Sequence, residues 1–394
     1  MSPSQVTEKL YNWASQLDEK TLAQAEMTSR LPFIYPHMAL MPDAHYGLGA
    51  SIGSVIPTLG AVIPAAVGVD IGCGMVAVET GYSMTDITEL DLRQFREMVE
   101  AAVPASAGGS NKWLTPSAAQ RINTLEELAA SGGWDPDEYG MRDWRSQLGS
   151  LGGGNHFIEG CQDERGIVWL FLHSGSRGIG NMIAQKHIKI AQELCERWWI
   201  QLEHIKLAYL VQGTAEFDQY MTELGWAQRF AAENRAEMME RVMGVFASWT
   251  GLPLDVDGVT TIQCHHNYTA REMIDDQEVI VSRKGAINAH EGVLGLIPGS
   301  MGTKSYVVEG KGNQLAINSA PHGAGRAMSR SKAREQFTQD HLRAQMGSIE
   351  YRDSASLIDE IPSAYKDIDA VMSDADDLVT VRHTLSQFVN VKGN

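Results

Sequence analysis

A chain of 394 residues with 43% hydrophobic and 21% charged residues has ample material for a folded core, which excludes a disordered protein. A formal net charge of −17 argues against nonspecific nucleic-acid binding over the whole surface. Four cysteines without a CxxC pair exclude a disulfide scaffold and favour a reducing, cytoplasmic setting, and the longest apolar stretch, 54–69, is broken by Pro57 and Pro64, so no membrane span or leader is expected.

In chain order, residues 5–27 read as an amphipathic helix. A Gly/Pro-punctuated, β-branched region follows over about 31–79. Within it, 63–78 is almost continuously apolar but broken by Gly68, Asp70, Gly72 and Gly74, which suits buried strands meeting at a site. Residues 88–103 read as helix and 104–143 as looser chain with Gly and Pro turns. A strand-like patch follows Gly154, and 167–173 (IVWLFLH) reads as a buried strand. The pattern from 181 to 249 is long and helical. Short strands are expected at 260–264, 278–282 and 305–309, then helix after Gly325 and a closing strand at 387–391.

No repeat or low-complexity linker divides the chain, and site-type motifs run from Asp43 to Lys392. One compact α+β domain over 1–394 is therefore expected, with central β-sheets flanked by helices and a long helical segment in the middle.

Six of the twelve histidines fall in short runs of small residues: His45, His156, His173, His265, His266 and His322. Such loops let a backbone approach a ligand, and imidazole both binds metals and moves protons near neutral pH. The run GVDIGCG at 68–74 adds Asp70 and Cys73, a hard oxygen and a thiolate three residues apart. His156, His173 and His266 are the imidazoles that could complete a metal site. One Cys, three His and one Asp could serve two ions sharing the thiolate, with zinc the default and manganese a candidate. The plainer alternative is a buried cysteine packed as a small hydrophobe. Asn155 and Asn267, beside His156 and His266, suit either phosphate orientation or turn capping.

The run HGAGR places His322 before two glycines and Arg326, an arrangement for an imidazole that attacks phosphorus or donates a proton, with a guanidinium to clamp phosphate. A capped helix start with an exposed histidine is the bland alternative. Arg326, Arg330, Lys332 and Arg334 stand within 322–334 without an acid, a focused basic groove on an acidic body. The run LIPGSMGTKS at 296–305 looks like a phosphate or base pocket, but Thr303 before Lys304 breaks the P-loop pattern. Neither HExxH nor Lys-x-Asp-Gly occurs, so zincin and lysine-adenylating ligase patterns have no support.

Taken in order, the runs MPDAHYGLGASIGSVIP, AAVGVDIGCGM, LGGGNHFIE, HSGSRGIGN, CHHNY, RKGAINAHEGVLGLIPGSMGTKSYVV, SAPHGAGRAMSR, AYKDID and VKG resemble the RtcB family of GTP-dependent RNA ligases. They span about 41–393. The resemblance implies joining of an RNA 3′-phosphate or 2′,3′-cyclic phosphate to a 5′-hydroxyl, with GTP and two Mn²⁺ as cofactors. It implies that Cys73 bridges the two ions, one also held by His156 and His173, the other by Asp70 and His266. His322 would accept GMP. Asn155, Phe157, Glu159, Asn267, Ser300, Ser305, Tyr365 and Lys392 would line the guanylate pocket, Glu159 and Lys392 at the guanine edge, with Arg326 near the phosphates.

Two departures from the family pattern stand out: Asn394 follows the usual terminal Lys-Gly, and Asn288 stands where many members carry Arg. Rival readings of the same residues are a dinuclear metal phosphoesterase, in which His322 is an acid, and a noncatalytic RNA-binding paralogue.

Overall fold

Two β-sheets meet where one strand hands over to the next at His266. The computed structural model describes residues 3–106, 108–140, 144–253 and 260–393; Asn394 lies outside them. The first sheet has six strands in the order Ser4–Thr7, Leu10–Asn12, Met38–His45, Ile52–Thr58, Gln277–Lys284, Asn267–Ile274. The second runs Thr261–His265, Gly74–Ser83, Ile167–Ser174, Phe157–Gln162, Val379–Lys392, Ser305–Gly310, Leu294–Pro298, with Glu350–Tyr351 added in parallel to Val379–Lys392. Seven of the eight residues of Ile167–Ser174 are buried, as a nearly all-apolar strand covered on both faces must be.

Helices cover the second sheet. Ala215–Thr250, 36 residues long, is capped by the Thr214 side chain accepting from Phe217 N–H and ended by Gly251 in the left-handed region. Glu216 and Asp218 in its first turn suit the positive end of the helix dipole. Its first half packs Phe217, Tyr220, Leu224, Trp226 and Phe230 against the helices Pro116–Ser131 and Arg177–Arg197. Its second half lays Met238, Val242 and Phe246 on Val76, Val78, Leu170 and Leu172 of the sheet.

The architecture is α+β, with the long helical segment in the middle as expected, divided at 198–214. Two local expectations fail. Residues 5–27 are not one helix: Ser4–Thr7 and Leu10–Asn12 form a hairpin, and only Glu19–Ser29 is helical. Leu10–Asn12 pairs with Met38, Ala39 and Leu40, and Trp13 is buried with its indole N–H on Asp377, so sheet contacts override the helical spacing. The loose region 104–143 contains the helix Pro116–Ser131, capped by Thr115 and burying Ala118, Ile122, Leu125 and Ala129 on one stripe. The closing strand is also longer than expected, Val379–Lys392. No described helix is long and apolar enough to cross a membrane.

Candidate active site

Strand register brings the site together. Met75 pairs with His173, Phe157 with His173, Lys392 with Phe157, and His265 with Gly74, so the ends of neighbouring strands lie side by side. Cys73 precedes Gly74, His156 precedes Phe157, and His266 is the single residue between a strand of each sheet. Gly74 must be glycine, since a Cβ there would stand 2.1 Å from the Cys264 carbonyl oxygen. At Gly175 a Cβ would meet the Asp70 carboxylate at 2.1 Å, so a side chain there would displace that group from the cluster.

All five expected metal ligands converge. Cys73 Sγ is 3.1 Å from His173 Nε2 and 3.5 Å from His156 Nε2, His156 Nε2 is 3.0 Å from Asp70 Oδ2, and Nε2 of His173 and His266 are 2.9 Å apart. The donors form two groups sharing the thiol, Asp70–Cys73–His156 and Cys73–His173–His266, each with its ligand atoms within 4.8 Å of one another. Cys73 belongs to both groups, and His156 also stands near His173, their rings 5.4 Å apart, so all five donors surround one small volume.

The donor set fits divalent ions. Burial drives the imidazoles of His173 and His266 well below their ordinary range, which keeps them neutral, the ligating form. Burial pulls Asp70 upward, but the His156 hydrogen bond and charge outweigh it and hold the carboxyl ionised. Burial, reinforced by Asp70, pushes the Cys73 thiol well up, so binding a metal must expel its proton.

His322 follows the short strand Ser319–Pro321 and stands beside this cluster, its ring 4.6 Å from that of His266. Its Nδ1 lies against the fully buried carboxylate of Asp43, leaving Nε2 as the ring nitrogen available to a substrate. His45 stacks on it at 6.4 Å.

A cavity of about 370 Å³ opens over these groups. Its wall includes Asp70, His173, His266, His322, Asn155, Phe157, Asn267, Ser300, Arg326, Tyr365 and Lys392. Glu159 and Ser305, expected there, are not on the wall. Glu159 sits two residues beyond Phe157 on the same face of Phe157–Gln162, about 7 Å deeper along the strand. There it is buried against the Asn390 amide at 2.8 Å, and burial pushes its carboxyl up to about 8 against the pull of Lys392. Ser305 pairs with Pro298 at the base of a hairpin whose tip carries Ser300, so Ser300 reaches the cavity and Ser305 stays in the sheet. Asn288 turns back on its own chain, accepting from His290 N–H at 3.0 Å.

Other residues hold the site and were not singled out from sequence. Arg235, fully buried in the middle of the long helix, donates to the Gly72 and Ser174 carbonyls at 2.8 and 3.0 Å and meets His265 Nδ1 at 3.1 Å. One guanidinium thus ties the three turns that carry Cys73, His173 and His266. Its neighbour Asn234 spans Gly149, Ser150 and Gly175. Glu360 is a buried acid facing Lys392 at 3.1 Å, Tyr365 at 2.6 Å, and Arg326 and Arg330 each at 3.3 Å. Lys284 is buried beside the cavity, and burial alone pushes its ammonium down to about 7. Helical spacing marks 234 and 235 only as interior positions, and an unusual polar pair there was the available signal. A second cleft of about 570 Å³ also borders Asp70, with His156, Arg177 and Arg334 on its wall.

Residues 24–393 match the family model described as tRNA-splicing ligase RtcB. The chain is 46% identical to the RNA-splicing ligase RtcB of Escherichia coli K12 over 383 residues, 93% of this chain and 92% of that protein. It is 29% identical to the RNA-splicing ligase RtcB of Mycobacterium tuberculosis over 89% of this chain and 94% of that protein. Identity to the tRNA-splicing ligase RtcB of Pyrobaculum aerophilum is also 29%, over 91% of this chain and 87% of that protein.

Proposed function

This chain belongs to the RtcB family, and from that premise we propose that it is an RNA ligase working as one catalytic unit. It seals a 3′-phosphate or 2′,3′-cyclic phosphate end to a 5′-hydroxyl end at the expense of GTP. The observation that carries the reading is the placement of His322, pinned by Asp43 on one nitrogen and open to a metal-ligand cluster and a phosphate-sized cavity on the other.

The chemistry follows from that ring. With Nδ1 facing the Asp43 carboxylate, the Nε2 lone pair of His322 attacks the α-phosphorus of GTP; a P–N bond forms, the bond to the β-phosphate oxygen breaks, and pyrophosphate leaves. An oxygen of the RNA 3′-phosphate then attacks the same phosphorus, the P–N bond breaks, and His322 is regenerated. The 5′-hydroxyl oxygen finally attacks the 3′-phosphorus, forming the phosphodiester and releasing GMP. A cyclic phosphate must first be hydrolysed to the 3′-monoester. Asp70, Cys73, His156, His173 and His266 would hold two divalent ions, which we assign as Mn²⁺ and which supply Lewis-acid polarisation of phosphoryl oxygens when bound. Phe157, Tyr365 and Lys392 would face the guanine, and Asn155, Asn267, Ser300 and Arg326 the ribose and phosphates. The four cysteines are free thiols, which suits a reducing, cytoplasmic setting.

Incubation with α-labelled GTP and Mn²⁺ tests the reading. Expected is an acid-labile adduct on His322, absent from His322→Ala although that variant keeps its metal. Phosphate release without an adduct would mean a phosphoesterase, and RNA binding without either would mean a noncatalytic paralogue.

A further inference from the structure

The cavity extends past the groups assigned to GTP. From Phe157 the wall passes to His173 (rings 5.5 Å apart), then His266 (5.1 Å), then His322 (4.6 Å). The same wall carries an apolar corner of Leu48, Ile52, Ala65, Val69 and Ile188, whose side chains have no polar atom, alongside His45, Asn267 and Lys284. Ile52 stands next to the His322 ring, since a Cβ on Gly285 would meet Ile52 at 2.4 Å and His322 Cε1 at 3.0 Å, whereas Phe157 is three ring contacts away.

The corner is built rather than incidental. Leu48 is 58% exposed, yet its loop is pinned: the Gln24 amide donates to the carbonyls of Gly47 and Gly49 at 2.7 and 2.8 Å and accepts from Gly47 N–H at 3.1 Å. Lys284 donates to the carbonyls of Leu48 and Ala65 at 2.5 and 3.2 Å. When protonated, Lys284 has a third proton beyond these two bonds, and it lines the cavity. Fixed backbone holds an apolar side chain in water at a cavity mouth, where a flat apolar ligand would cover it.

We propose that this corner seats the nucleobase of the RNA 3′-terminal nucleotide, placing its phosphate between Lys284 and His322. This rests on the ligase reading above. Apolar walls contact the face of any base without reading its edge, so these five side chains do not select among the four bases. The 5′-hydroxyl strand need not share the entrance, because Asp70 also borders the second cleft.

The test is binding of single-stranded six-nucleotide RNAs with a 3′-phosphate to the Mn²⁺-loaded protein, read by fluorescence anisotropy. Removing the 3′-terminal base should weaken binding about 5- to 10-fold, and Leu48→Ala should do the same for the intact RNA. Combined, the two changes should cost little more than either alone, and Leu48→Met should bind like the parent. The His322 adduct should form at the parent rate in both variants. Equal affinity for the abasic and intact 3′ ends would overturn the proposal, as would additive losses or a requirement for the base at a 5′-hydroxyl end instead. Absence of the adduct from the unaltered protein would instead count against the ligase reading, leaving the base-dependent binding to be judged on its own.

Discussion

Asp43 Oδ2 lies 2.6 Å from Nδ1 of His322 and also accepts the backbone N–H groups of His322 and Gly323 at 3.1 and 3.2 Å. One buried carboxylate therefore holds the loop that carries the ring and stands against the ring itself.

Asp43→Asn keeps an oxygen for the backbone donors but removes the negative charge that stands against Nδ1 of His322. Adduct formation with labelled GTP should slow by about 10²–10⁴-fold, in line with other carboxylate–imidazole pairs. A rate within a factor of two of the parent, measured under single-turnover conditions, would remove Asp43 from the mechanism.

The sharing of Cys73 between two donor groups makes metal content diagnostic. After equilibration with Mn²⁺ and desalting, elemental analysis should find Cys73→Ala depleted of both ions, because each group loses its thiolate. Asp70→Ala should lose one ion and keep the other on Cys73, His173 and His266. Parent stoichiometry in the cysteine variant would contradict a bridging role.

Glu360 is an acid at 2% exposure among Lys392, Arg326 and Arg330. Burial raises its carboxyl, but the Lys392 and Arg330 charges and the Tyr365 hydrogen bond outweigh it and hold the group ionised. Glu360→Gln leaves those cations without a counter-charge and should destabilise the fold by about 2–4 kcal/mol. It should also weaken GTP binding, because Lys392 and Arg326 lose the anchor that aims them at the cavity. Urea denaturation and GTP titration read the two effects separately.

His45 and His265 are part-buried and neutral, desolvation lowering them to about 4 and about 3. Between those values and the ordinary 6.5, the unfolded chain binds protons that the folded chain refuses. Their contribution to stability is therefore complete above pH 6.5 and lost as pH falls toward 4. Glu159, raised to about 8, has the opposite slope, its contribution being lost as pH rises from about 4.5 to 8. Comparing His45→Gln with the parent isolates one histidine: in chelator-treated protein, the variant should lose less stability between pH 6.5 and 4, by on the order of 2 kcal/mol. Parallel curves for the two proteins would refute the assignment.

The helical stretches 181–249, the buried strand ending at His173 and the α+β class were legible because helical periodicity and short continuous apolar runs are local properties of the chain. Residues 5–27 and 104–143 were not. In the first, pairing with Met38–His45 outweighs helical spacing; in the second, a capped helix hides among turn residues.

By itself the sequence determined which side chains could do the chemistry: Asp70, Cys73, three imidazoles and His322, each in a short run marked by glycine or asparagine. Only the tertiary structure decided that these donors come within reach of one another, that Glu159 and Ser305 stand behind the wall, and that Asp43, Arg235 and Glu360 hold the site. Asp43 and His322 are 279 residues apart in the chain. No local periodicity reports a contact of that span, because strand register and the packing of a helix across the sheet create it only after the whole chain has folded.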